Sequence, residues 1–308
     1  MNAGFAVLAV AALALIAGVT SVAAGAALWL GRGWLARRSA AAQVRLLFCA
    51  ASAPACAALA VVSAMGFDLA VLGCSAHRCV HDHGLADPRL AVLALALSAL
   101  GRLAWAATRA ATGVVRAAMT RRRLDAASTW RSDGVRVMPV DDVQAFVLGF
   151  LHPHVYVSRG LLATDCVDSV LAHERAHQRR RDPLRRLAVS LGVALHLPGV
   201  ARYLERQLGR MQESAADADA ADSIGDAARI AAALVRFARL RVSRPAAALG
   251  WQGGDLEARV SALLADEPPP DRPTTLVLVA VIFAGACAAL LAADRVHRGA
   301  ELLLGWLD

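Results

Sequence analysis

Four long apolar runs, at residues 5–30, 46–72, 90–111 and 276–293, constrain this chain more than any other feature. The first three are each long enough as helices to cross ~30 Å of hydrocarbon. Their weight is visible in the whole sequence, which is 308 residues long, 57% hydrophobic and only 19% charged. That balance is more apolar than a soluble domain normally carries. A cleaved signal peptide is the rival reading of the first run. No basic residue precedes it, however, and its apolar stretch exceeds the ~7–15 residues of a signal core, so a retained anchor is expected.

The arginines sort the orientation. Arg32, Arg37, Arg38 and Arg45 fill the first loop, whereas the second, residues 73–88, holds only Arg78. Basic loops stay inside, so the first loop is expected in the cytoplasm. After the third run come Arg116, Arg121, Arg122 and Arg123, which puts the long following segment inside and both termini outside. Three units follow: residues 1–115 with three spans, a cytoplasmic domain at 116–272, and a fourth span with a short outer tail at 273–308. The location expected is a bacterial inner membrane. All 33 basic residues are arginine and the net charge is +8. These arginines flank apolar spans, which speaks for contact with lipid and against direct nucleic-acid binding.

Within the cytoplasmic unit stands His173-Glu174-Arg175-Ala176-His177. On a helix the two histidines lie four apart on one face, so both imidazoles reach one metal ion, and Glu174 sits beside it. Zinc suits such ligands, and a catalytic site leaves one position for a water whose pKa falls towards neutrality. Glu174 is placed to take that water's proton. The surroundings predict a helix capped at Asp165, fed by Val167, Val170 and Leu171, and stopped by Pro183.

The third ligand must come from elsewhere. Residues 202–222 read as a helix in which Glu213 and Asp217 are four apart. Glu213 completes a two-histidine, one-glutamate set, and Asp217 can accept a ligand's ring N–H. A solvated acidic stripe is the alternative. Ahead of the motif, residues 135–138, 145–149 and 154–158 alternate or run apolar and predict a small sheet. Pro153 marks the last of these as an edge strand, so Val155, Tyr156, Val157 and Ser158 are expected either to bind an extended substrate or to form an ordinary edge. Residues 184–200 read as a helix lying in the membrane interface, with His196 interfacial and not a ligand. Another amphipathic helix is expected at 226–241, then a stiff proline-rich linker at 266–273.

The loop between the second and third runs packs Cys74, His77, Cys79, His81 and His83 into ten residues. On the outer face the two cysteines could form a disulfide, or the five side chains could bind copper or zinc.

Three stretches, residues 145–162, 171–182 and 213–217, together resemble the BlaR/MecR-type membrane metallopeptidases, metallopeptidase family 56, relatives of the Ste24/HtpX gluzincins. The resemblance implies an integral membrane, mainly α protein: four transmembrane helices with a cytoplasmic α+β gluzincin-type zinc protease domain carrying a small sheet. It implies one catalytic Zn2+ on His173, His177 and Glu213, with Glu174 as general base. Asp217 is then a partner of a ligand, and Asp182 matches without an assigned role. The implied substrate is a cytosolic repressor of the winged-helix BlaI/MecI type, cut in response to an outside signal. No penicillin-binding domain follows the fourth run, so a penicillin sensor is not expected. The alternatives are a quality-control protease of the HtpX kind and a non-catalytic sensor with a structural zinc.

Overall fold

The computed structural model describes residues 3–71, 88–242 and 253–265. Its first part is three long helices, α1 (Ala3–Leu30), α3 (Ala40–Val71) and α4 (Pro88–Ala127), with a short α2 (Arg32–Ala36) between the first two. They cover the first three apolar runs. Among the described residues, one stretch, Ala40–Ala57 of α3, is long and apolar enough to cross a membrane. Four spans are therefore not confirmed among the described residues. In α1 the apolar stretch Ile16–Leu30 is shorter, and α4 carries Arg102 and Arg109 within its run. The run at 276–293, the loop at 74–83 and the linker at 266–273 lie outside the described residues.

Helix α4 runs on past its apolar part and delivers the chain to a four-stranded mixed sheet. The strands are β1 (Thr129–Trp130), β2 (Arg136–Met138), β3 (Ala145–Leu148) and β4 (His154–Ser158), in the order β1-β2-β4-β3. A turn at Ser132-Asp133-Gly134 joins the first two, with Gly134 at φ 80. β2 and β4 are parallel, while β3 pairs antiparallel with β4, Phe146 opposite Tyr156. Gly149 closes that hairpin at φ 112, and a Cβ there would lie 2.9 Å from the His152 carbonyl oxygen, so glycine is required twice over.

This order corrects the expected edge. β4 is hydrogen-bonded on both sides, and Val155, Tyr156, Val157 and Ser158 are buried. A strand so placed offers no free main-chain groups to a peptide. The free edge on this side of the sheet is β3. Proline before β4 does not contradict an inner position, because its missing N–H falls just ahead of the ladder.

The remaining elements are α5 (Arg159–Leu162), α6 (Val167–Arg180), α7 (Asp182–Gly192), a single 3-10 turn (Val193–Leu195), α8 (Pro198–Ile224), α9 (Ala227–Val242) and α10 (Gly253–Leu263). Three apolar clusters hold them together. One packs β4 and α6 with α9 through Val155, Val157, Leu161, Val170 and Phe237. A second joins α3, α7 and α8 through Val44, Leu47, Val189, Leu204 and Leu208. A third seats α10 on α8 and α9, with Leu256 and Leu263 against Ala220 and Ile230.

The segment 184–200 is thus two pieces and not one helix. His196, expected at an interface, is fully buried. Its Nδ1 is 3.1 Å from the Ser21 hydroxyl of α1 and its Nε2 is 3.0 Å from the Ala50 carbonyl of α3. The reason is sequence order: Pro198 opens α8 directly after it, so the turn between α7 and α8 must bury its polar groups among α1 and α3.

Candidate metal centre

Helix α6 presents Val170, Leu171, Ala172, His173, Ala176 and His177 to the interior. Its start differs from expectation. Cys166 is the N-cap, with no side-chain cap bond, and Asp165 instead pairs with Arg236 at 2.8 Å. Its end differs too, because Arg181 in the left-handed region (φ 53, ψ 42) breaks the helix and Pro183 belongs to the first turn of α7. That sharp reversal brings Asp182 back beneath α6, where its Oδ2 is 2.7 Å from His177 Nδ1. The role left open for Asp182 is filled: it orients one histidine.

Helix α8 supplies the rest. Glu213 Oε2 lies 3.5 Å from His173 Nε2, and Glu213 Oε1 lies 3.6 Å from His177 Nε2. The two Nε2 atoms are 3.1 Å apart. Asp217, one turn on, places Oδ1 2.8 Å from His173 Nδ1. Each imidazole thus has a carboxylate behind it and its Nε2 turned towards Glu213. These separations suit zinc, since ligand atoms ~2.0–2.1 Å from a tetrahedral ion stand ~3.3 Å from one another. The donor set, with a carboxylate behind each histidine, is of the kind that holds a divalent ion.

The charges agree. Burial would pull His173 down, but Asp217 and Glu213 outweigh it and raise its pKa to about 10. His177 is likewise raised, burial being outweighed by Asp182 and Glu213. Burial pushes Glu213 up, yet the two imidazoles hold it well below the carboxylate range. For Asp217, burial is outweighed by Arg259 and His173, and its pKa is lowered. Burial raises the pKa of Glu174. A centre of this kind attracts positive charge, either protons on the imidazoles or a metal ion, and the two compete.

The centre opens into a cleft of about 210 Å³. One wall is the edge strand β3, with Ala145, Phe146 and Val147. The other is α9, with Ile230, Ala233, Leu234 and Phe237. Glu174, His173 and His177 lie between them, and Arg186 and Glu213 close one end. The edge strand β3 and Glu174 thus line the same cleft.

Two residues at the site were not foreseen. Arg259 of α10, buried, holds Asp217 through two bonds, Nε to Oδ2 at 2.6 Å and Nη2 to Oδ1 at 2.8 Å, and brings Nη1 within 3.4 Å of Glu213. Arg186 of α7 donates to Gln212 Oε1 at 2.7 Å and to Glu213 Oε1 at 3.0 Å. Neither stands at a helical spacing from the motif that could have revealed it. The expected outer-loop group Cys74, His77, Cys79, His81 and His83 lies outside the described residues.

A helical domain with an edge strand beside a two-histidine, one-carboxylate centre defines a metallopeptidase. The family model that matches residues 112–272 is that of peptidase family M48, and the chain belongs to that family. No curated protein and no solved structure matches the chain.

Proposed function

We propose that this protein is a membrane-bound zinc endopeptidase that cuts a cytosolic protein, a winged-helix repressor of the BlaI/MecI type, in signal-dependent regulation. The observation that carries the reading is the cluster of His173, His177 and Glu213 with Glu174 beside it, in a cleft walled by a free strand edge.

His173, His177 and Glu213 would hold the ion, with Asp217 and Asp182 fixing both imidazoles. Bound zinc supplies Lewis acidity, polarising a peptide carbonyl and making water more acidic. The edge of β3 binds the substrate main chain by strand addition, largely indifferent to side chains, while the apolar face of α9 receives a hydrophobic side chain. Glu174 takes the proton of the attacking water and delivers it to the leaving nitrogen. Its raised pKa suits both halves of that exchange.

The membrane part of the reading rests on surfaces. Val19, Val22, Leu93, Leu97, Leu100 and Leu103 of α1 and α4 are exposed, an apolar surface a bilayer would cover. Trp29, Trp34 and Trp105 are each stacked by an arginine, Arg32, Arg38 and Arg109. Such pairs suit the boundary between lipid and water. The matching family is M48, whereas repressor cleavage is what the resemblance to family 56 implies. On that ground the second reading is a quality-control protease of the HtpX kind.

One experiment separates them: comparing proteins cleaved in cells carrying the parent chain or Glu174→Gln. A single small DNA-binding protein accumulating uncut with Glu174→Gln supports the first reading, and many membrane proteins support the second. A reporter fused after Arg123 tests the topology. Alkaline phosphatase activity there would overturn a cytoplasmic catalytic domain.

A further inference from the structure

We infer that Arg186 is a catalytic residue, the group that stabilises the oxyanion formed when the peptide carbonyl is attacked. The inference rests on the peptidase reading above and adds to it a residue acting on the substrate.

Attack on a peptide carbonyl turns its oxygen into an alkoxide. Donors already in place for that charge are worth far more than donors that must reorganise. The lining of the cleft is poor in them. Apart from the two histidines, whose Nε2 atoms face Glu213, the side-chain donors there are Ser169 and Arg186. Ser169 is buried in α6. Among the described residues Arg186 is the one arginine lining the cleft, and its side chain is 51% exposed.

Its bonds leave it capacity. A guanidinium has five N–H donors in a rigid fork. Among the described residues two of these are engaged: Nε–H with Gln212 Oε1 at 2.7 Å and one N–H of Nη2 with Glu213 Oε1 at 3.0 Å. Five less two leaves three. The neighbouring cations are differently committed: Arg259 is 6% exposed and bound twice to Asp217, and Arg180 pairs with Asp219. Arg186 is therefore held at its base by Gln212, sits one hydrogen bond from a ligand carboxylate, and lines the cleft with N–H donors that these two bonds do not use. It can bind the oxygen of the attacked carbonyl, and bind it more strongly once that oxygen is charged.

The same contacts would also let Arg186 simply steady Glu213, and the two roles predict different measurements. Arg186→Gln and Arg186→Lys would be made in the full-length protein. Turnover would be followed with a fluorescence-quenched peptide that the parent cleaves, metal affinity by competition with a chelator, and binding of a phosphinic peptide that mimics the tetrahedral state by titration. Removing an oxyanion donor costs about 10²–10³-fold in kcat. The result expected for Arg186→Gln is a kcat loss of that order with KM and zinc affinity within a few-fold of the parent. Phosphinic peptide binding should weaken in step with kcat, and Arg186→Lys should recover part of both. Unchanged kcat overturns the inference, and so does a zinc affinity that falls in parallel with kcat. Should Glu174→Gln retain full cleavage, the peptidase reading itself fails, and that outcome is read independently of Arg186.

Discussion

Helix α8 has two interiors. Its first half packs Leu204 and Leu208 into an apolar cluster with Val44, Leu47, Val189 and Val193. Its second half carries Glu213 and Asp217 into a cluster of histidines and arginines. The first is held by contacts that are individually weak, numerous and tolerant of exchange. In the second each charged group is held by a few named partners, so losing one strands others. The same rod thus fastens the peptidase domain to α3 with one end and builds the candidate metal centre with the other. Damage to the first half should cost stability, and damage to the second should cost function.

The sharpest way to break this contrast is Glu174→Gln. Glu174 lines the cleft beside His173, His177 and Glu213, the group that could hold a metal ion, and is not part of that group. The expected result is a fall in cleavage of about 10²–10⁴-fold, typical of a lost general base, with metal content and melting temperature near the parent's. Metal analysis and a peptide assay on the same preparation check it. Retained cleavage would mean that the base lies elsewhere.

The opposite case is Leu208→Ala. Leu208 is 2% exposed in the α3–α7–α8 cluster. Removing it should cost about 2–5 kcal/mol of stability through lost burial and the cavity left behind. Cleavage per folded molecule should stay near the parent's, since Glu213 and Asp217 lie beyond it on α8. Denaturation followed together with specific activity tests this. A loss of kcat at temperatures where the variant is fully folded would show that the two halves are coupled.

The two halves also differed in how far the sequence revealed them. The structure brings His173, His177, Glu213 and Asp217 together, and helical spacing of four, which turns residue type into shared facing, is the local pattern behind it. Helices α8 and α9 were readable from their periodicity. What escaped was long-range. Arg259 meets Asp217 across 42 residues and Arg186 meets Glu213 across 27, and no local pattern encodes either meeting. A proline before β4 reads as an edge signal, yet a proline at a strand's start leaves an edge and an inner position equally open. His196 was set at an interface from its neighbours' hydropathy, whereas the tight turn into Pro198 and the hydroxyl of Ser21 decided its burial.

The smallest expected effect probes what stands behind the ligands. Asp217→Asn keeps the shape but removes the charge facing His173 and Arg259. Loss of such a partner typically weakens metal affinity about 10–100-fold. The metal-free protein gives a second reading through pH. His173 is raised from 6.5 to about 10, burial being outweighed by Asp217 and Glu213. A group raised on folding binds its proton more tightly in the folded state. Its stabilisation is therefore complete below pH 6.5 and fades as the pH climbs towards 10. Asp217 is lowered from 3.8, so its own share is present above that pH and lost as the solution is acidified below it. The melting temperature of the parent stripped of metal should accordingly fall between pH 6.5 and 10, and Asp217→Asn should flatten that fall. A bound metal displaces the His173 proton, so saturating zinc should also abolish it. Equal slopes in parent and Asp217→Asn would show that Asp217 does not hold the imidazolium, and the site half of α8 would then owe its order to Glu213 alone.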